Sequence, residues 1–199
     1  MIESSVLEQR FLCPYCSGES ESFDGLKAHV LSNHKTEPVL SPKGNIELSI
    51  NEKAYLLHVE PEWTLYHLIH DRMGLLGSKQ FCDRGACGSC TVIMDGRPVL
   101  SCMTLAIECG GKKIETIEGI AEKEHPLIES YVNNNAMQCG YCTPGFVVTA
   151  KALLDSKAHP SEDDVKQALA GNLCRCGTYP QHPIAVLEAA EKGQAGGEA

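Results

Sequence analysis

Eleven cysteines, grouped as Cys13/Cys16, Cys82/Cys87/Cys90, Cys139/Cys142 and Cys174/Cys176 with Cys102 and Cys109 between, constrain this chain more than any other feature. In a reducing compartment such groups mean ligation or catalysis more often than disulfides. That compartment is the expectation here. The opening "MIESSVLEQR" has neither the basic region nor the apolar core of an export signal, and no apolar run approaches a membrane span. A cytoplasmic location without a membrane partner follows, and the thiols become a problem of ligand arithmetic.

The first group falls in "CPYCSGESESFDGLKAHVLSNH", which spaces Cys13-x2-Cys16-x12-His29-x4-His34. Two thiolates on a hairpin knuckle and two imidazoles on one helix face can close a tetrahedron around zinc. So short a segment cannot bury enough apolar surface to fold alone, so metal binding would supply its folding free energy. Over residues 11–34 it resembles the C2H2 zinc-finger family, which implies a ββα unit. The helix positions that would face bases in such a finger are Ser22, Gly25 and Ala28, none able to make a bidentate base contact. Residues 1–35 carry five acids against three bases, and the whole chain has a formal net charge of -9. No nucleic-acid partner is expected. The finger reads as a structural or docking knob.

"TEPVLSPKGN" then reads as a linker. The organisation expected is a zinc finger over 1–35, a linker over 36–43, a sheet-and-helix domain over 44–120, a helical domain over 121–192, and a flexible tail over 193–199. Alternation at Ile46, Leu48, Ile50 and at Tyr55, Leu57, Val59 predicts two strands around an "NEK" turn. Leu65, Leu68, Ile69 and Met73 predict one amphipathic α-helix, capped by Thr64 and ended by Gly74. Asp95-Gly96 between apolar runs is a hairpin signal, and "KKIETI" another strand. Beyond Gly119, helices are expected from Pro126, from a Thr143-Pro144 cap pair, from a Ser161/Asp164 capping box, and over 184–191. The fold class is therefore α+β.

Cys82-x4-Cys87-x2-Cys90 followed by Cys102 matches the plant-type ligand pattern of a 2Fe–2S cluster, with zinc as the plainer alternative. Gly85 and Gly88 permit positive backbone torsions that turn amides toward cluster sulfur. Cys139 and Cys142 cannot complete a metal site alone. "GNLCRCGTYP" supplies Cys174 and Cys176, and four thiolates can hold a second 2Fe–2S cluster. The helix expected from Pro144 would point its positive end at that cluster. Cys109 is left over and reads as a buried, unreactive thiol.

Over roughly residues 44–190 the motifs "GSKQFCDRGACGSCTV", "QCGYCTPG" and "GNLCRCGTYP" resemble the iron–sulfur subunit of the molybdenum hydroxylases, the xanthine oxidase and aldehyde oxidoreductase family. The resemblance implies a β-grasp ferredoxin-like domain carrying a distal cluster on Cys82, Cys87, Cys90 and Cys102. It implies a four-helix domain carrying a proximal cluster on Cys139, Cys142, Cys174 and Cys176. Gln138 matches the family glutamine that contacts the pterin of the molybdenum cofactor, and Cys139 would lie beside that pterin. Electrons would pass from a large molybdenum-cofactor subunit through both clusters to a flavin (FAD) subunit or another acceptor. No residue of this chain is expected to transform substrate: no nucleophile set or phosphate loop is present, and His58, His67, His70, His125, His159 and His182 match no ligand spacing. The competing reading, from a different class, is a finger-bearing iron–sulfur redox sensor or regulator.

Overall fold

The computed structural model describes residues 11–13, 16, 18–20, 22–33 and 44–195, with the backbone alone at 11, 12, 19, 23, 194 and 195. The chain divides into two compact units, Met1–Pro42 and Lys43–Ala199. In the first, β1 (Phe11–Leu12) pairs antiparallel with β2 (Glu19–Ser20), and α1 (Phe23–Asn33) follows. The Cys13 N–H donates to the Gly18 carbonyl at 2.8 Å, closing the knuckle, and the Gly25 N–H donates to Ser22 Oγ at 3.1 Å where α1 begins.

The second unit is α+β. Its five-stranded sheet has the order β4-β3-β7-β5-β6, from β3 (Gly44–Ile50), β4 (Lys53–Val59), β5 (Thr91–Met94), β6 (Arg97–Leu100) and β7 (Lys113–Glu115). The outer pairs are hairpins. Each turns through two residues of positive φ, Asn51 (48°) and Glu52 (66°) in one, Asp95 (49°) and Gly96 (79°) in the other, which matches the twist of the flanking strands. The sheet is mixed because β7 runs parallel to β3 and antiparallel to β5.

The expected helix after β4 differs in winding. His67–Arg72 is π-helical, with the Met73 N–H bonded to the Leu68 carbonyl at 3.1 Å, while Thr64 Oγ1 accepts from the His67 N–H at 3.1 Å as a cap should. Leu65, Leu68 and Ile69 are all buried against the sheet core. Apolar spacing identifies the buried face, but i,i+4 and i,i+5 ladders share it.

Five helices follow: α2 (Ile117–Glu122), α3 (Pro126–Asn133), α4 (Thr143–Ser156), α5 (Glu162–Leu169) and α6 (Gln181–Ala195). Short α2 carries no long periodic pattern and was not expected. The Ser161/Asp164 capping box is formed, and Pro126 sits in the first turn of α3 behind His125, whose Nδ1 accepts from the Leu127 N–H. Thr143 departs from expectation. It is the first residue of α4 rather than its cap, Cys142 holds the cap position, and the buried Thr143 hydroxyl has no partner among the described residues. The last helix starts earlier than 184, at Gln181, and extends to Ala195.

Among the described residues this unit holds two large hydrophobic cores and a small cluster of Tyr66, Cys90 and Cys102. One lies on the sheet around Ile50, Leu65 and Val92; the other lies among the helices around Leu127, Tyr131, Phe146 and Val186. Burying a side chain such as Phe146 contributes about 1.5–3 kcal/mol. Ile93 of β5 belongs to the helical core, and α4 packs on β5, so sheet and helices are joined where the cysteine loops meet. No described helix is long and apolar enough to cross a membrane.

Candidate metal centres

The loop 82–90 leaves the helical turn and enters β5 with three positive φ values, Asp83 (51°), Gly85 (73°) and Gly88 (73°). This winding turns backbone N–H groups inward. The Ala86 N–H reaches Cys82 Sγ at 3.3 Å, and the N–H groups of Arg84 and Cys87 also face it. Burial raises the Cys82 thiol, but these donors outweigh it and bring its pKa down to about 7. Cys102 returns from β6 to the loop, where Ser101 Oγ donates to the Cys90 carbonyl at 2.7 Å. Its thiol is pushed up to about 11, by burial first and then by the neighbouring Cys90 thiol, while the Gly85 N–H opposes the shift. The thiols meet in pairs, Cys82 with Cys87 and Cys90 with Cys102.

The second set assembles from two loops of the helical region. Cys139 and Cys142 precede α4, and Cys174 and Cys176 lie between α5 and α6. Cys142 pairs with Cys174, with Cys139 close enough to act on Cys142 electrostatically. Burial above all, then the Cys174 contact, pushes the Cys142 thiol up to about 12. Cys174 goes the other way. Burial opposes the change, but the Thr178 hydroxyl and the N–H groups of Thr178 and Gly177 bring it to about 7. Cys174 is buried, Cys142 half-buried, and Cys139 and Cys176 exposed. Gln138 is also exposed, next to Cys139.

In the first unit, Cys13, Cys16 and His29 have ligand atoms all within 4.8 Å of one another, with Cys16 Sγ 3.2 Å from His29 Nε2. His34, the fourth expected ligand, lies outside the described residues. Among the described residues this is the one group of three or more donors packed so closely. Tetrahedral zinc, with Zn–S bonds of about 2.3 Å, would draw four thiols inside such a span. The other eight cysteines form no group so tight, and backbone N–H groups meet Cys82, Cys102 and Cys174, an arrangement a two-iron cluster fits. Cys109 is buried, its thiol pushed up to about 11 by burial and donating to the Leu105 carbonyl at 3.5 Å.

The two four-cysteine sets touch through backbone. The Leu173 N–H donates to the Cys87 carbonyl at 2.9 Å, and Asn172 Nδ2 donates to the Gly88 carbonyl at 3.1 Å. Tyr141 Oη donates to the Gln80 carbonyl at 2.6 Å, tying the 139–142 loop to the segment before Cys82. Asn172, Leu173, Tyr141 and Gln80 were not singled out from sequence. Adjacency to a ligand was the available signal for Leu173 and Tyr141, and nothing in spacing reveals which carbonyl they meet.

Family models match both regions: a 2Fe-2S iron-sulfur cluster binding domain over residues 63–135 and a [2Fe-2S] binding domain over residues 116–187. The chain is 41% identical to the nicotinate dehydrogenase small FeS subunit of Eubacterium barkeri, over 75% of this chain and 97% of that one. Quinoline 2-oxidoreductase from Pseudomonas putida 86 superposes with a TM-score of 0.74 at 39% identity, covering 78% of this chain and 99% of the matched chain. Aldehyde oxidoreductase from Desulfovibrio gigas superposes with a TM-score of 0.74 at 38% identity, over 76% of this chain and 17% of that longer one. With its cysteine loops joined in one unit and its likeness extending along nearly the full length of a small FeS subunit, the chain belongs to the iron–sulfur small subunits of the molybdenum hydroxylases, the electron-transfer subunits of the xanthine oxidase and aldehyde oxidoreductase family.

Proposed function

We propose that Cys82, Cys87, Cys90 and Cys102 hold a distal 2Fe–2S cluster, that Cys139, Cys142, Cys174 and Cys176 hold a proximal one, and that the chain conducts electrons between a large molybdenum-cofactor subunit and a flavin subunit or external acceptor. Such clusters, when bound, accept and release one electron at a time. The carrying observation is the 2.9 Å hydrogen bond from the Leu173 N–H to the Cys87 carbonyl. It sets the residue before Cys174 against the carbonyl of Cys87, itself a proposed ligand. The two cages are thereby joined by a short backbone link.

The exposed end of the proximal set supports the direction. Gln138, Cys139 and Cys176 face outward, and a cavity of about 270 Å³ lined by Phe81, Cys139, Tyr141, Cys142, Leu173 and Arg175 opens beside them. Phe81, Tyr141 and Leu173 are large apolar side chains left exposed at 68%, 43% and 49%. An exposed apolar patch beside a ligand loop is the surface a large subunit would cover. Gln138 and Cys139 would contact the pterin that subunit holds. Nicotinate, quinoline and aldehydes appear in the names of the related enzymes, so the partner's substrate belongs to the N-heterocycle or aldehyde class.

The finer architecture is assigned with it: a β-grasp ferredoxin-like domain over 44–120, a helical 2Fe–2S domain over 121–192, a linker over 36–43 and a tail over 193–199. Residues 1–35 form a zinc finger in which Cys13, Cys16, His29 and His34 hold zinc, and the close approach of the first three supports it. The redox-sensor reading draws only on this finger, and family membership favours the electron-transfer reading.

Replacing Cys139 with Ser in the native complex tests the order of the relay. One paramagnetic signal is expected to vanish, and reduction of the remaining cluster by substrate to stop. Substrate still reducing that cluster at the original rate would contradict it.

A further inference from the structure

The Cys174 sulfur lies 3.1 Å from the Thr178 hydroxyl, and that hydroxyl lies 3.1 Å from Nε2 of His182. All three residues are buried, His182 to 1% exposure. The imidazole is clamped, stacked on Phe146 at 3.9 Å and 11° and tilted against Tyr131 at 5.6 Å. Its Nδ1 is buried and has no hydrogen-bond partner among the described residues.

These facts assign the protons. A neutral imidazole carries one N–H, and a buried N–H without an acceptor is costly, so the proton belongs on Nε2, where Thr178 can accept it. A metal-bound thiolate has no proton to give and can only accept. With Cys174 holding metal, the Thr178 hydroxyl would point its hydrogen at the sulfur and its oxygen at His182. The chain runs one way, from Nε2–H to Oγ1 and from Oγ1–H to Sγ. Burial pushes the His182 pKa down to about 4, so the imidazole stays neutral at ordinary pH.

We propose that Thr178 and His182 are positioning residues that set the reduction potential of the cluster held by Cys139, Cys142, Cys174 and Cys176, through a polarised hydrogen bond to the Cys174 sulfur. The inference rests on the assignment of those four cysteines as ligands. With the cluster bound, reduction would add one electron from the partner side, and part of the added negative charge would fall on the thiolate sulfurs. A hydrogen bond to sulfur stabilises that form and raises the potential, and a donor itself polarised by a second donor does so more strongly. No proton changes owner along the chain.

The test is potentiometric titration of the natively purified complex, followed by electron paramagnetic resonance, with iron counted per chain. Thr178→Val removes the hydroxyl at nearly constant shape. It should lower the potential of one cluster until its reduced-to-oxidised ratio at fixed poise falls about tenfold, about 59 mV for one electron, with the other cluster unmoved. Thr178→Ser keeps the donor and should restore the unsubstituted value. His182→Phe, which leaves the sulfur's own contact intact, should shift the same cluster in the same direction by less. If Thr178→Val loses iron, His182→Phe carries the comparison. Unchanged potentials in the loaded variants, equal shifts of both clusters, or iron loss in both while Thr178→Ser stays loaded would each overturn the proposal. Failure of the ligand assignment would show separately, as an unsubstituted complex without iron.

Discussion

Gln138 and His182 each carry a proposed role that does not involve holding iron. Gln138 is exposed beside Cys139, so its amide is free for a partner's cofactor. Gln138→Ala is expected to leave both clusters loaded at unchanged potentials while slowing their reduction by substrate about tenfold or more, measured by stopped-flow bleaching. Unchanged bleaching would remove its role. His182 and His125 are both held below the ordinary histidine pKa by burial. Their folded-state pKa values lie under the unfolded value of about 6.5. Between the two values the unfolded chain binds more protons, so this contribution to stability is complete above pH 6.5 and is lost on acidification toward the folded pKa. The melting temperature should fall from pH 6.5 toward 4.5, and His182→Phe should flatten that slope, with His125 contributing to what remains. At this scale the cysteine groups were legible because the spacing within each is local. Leu173, Thr178 and His182 were not, because their roles depend on a carbonyl or hydroxyl that only the folded loops bring near.

At the scale of elements, the junction between α4 and the 82–90 loop decides whether the two cysteine sets stay in contact. Gly145, in the first turn of α4, presses against that loop: a Cβ there would overlap the Gly88 carbonyl and lie 3.0 Å from Ser89 Cα. Both obstacles are backbone and cannot swing aside. Gly145→Ala is expected to cost about 1–3 kcal/mol by overpacking and to lower the melting temperature by about 2–4 °C per kcal/mol. The same shift should strain the Leu173–Cys87 hydrogen bond, slowing electron exchange between clusters. A variant with native stability and exchange would show that the helix and loop are not rigidly packed. Both hairpins and the α5 capping box were readable because each signal is a short-range preference. The π winding after β4, the displaced cap of α4 and the presence of α2 were not, since each is settled by tertiary packing or by a segment too short to show a period.

For the whole molecule, the sequence order of the two cysteine sets is less informative than their joint closure within Lys43–Ala199. One set is closed across a hairpin and the other across α4 and α5, yet both end on the same short backbone link. That convergence is what makes the chain a conductor rather than a ferredoxin with an appended bundle. The α+β class was evident from patterning, whereas the approach of Leu173 to Cys87 joins residues far apart in sequence and left no local trace. Spin-quantified electron paramagnetic resonance of the dithionite-reduced native complex tests the central claim most directly. Two distinct S = 1/2 signals integrating to about two spins per chain are expected, one for each four-cysteine set. A reduced complex without such signals, holding zinc in place of iron in both sets, would contradict it.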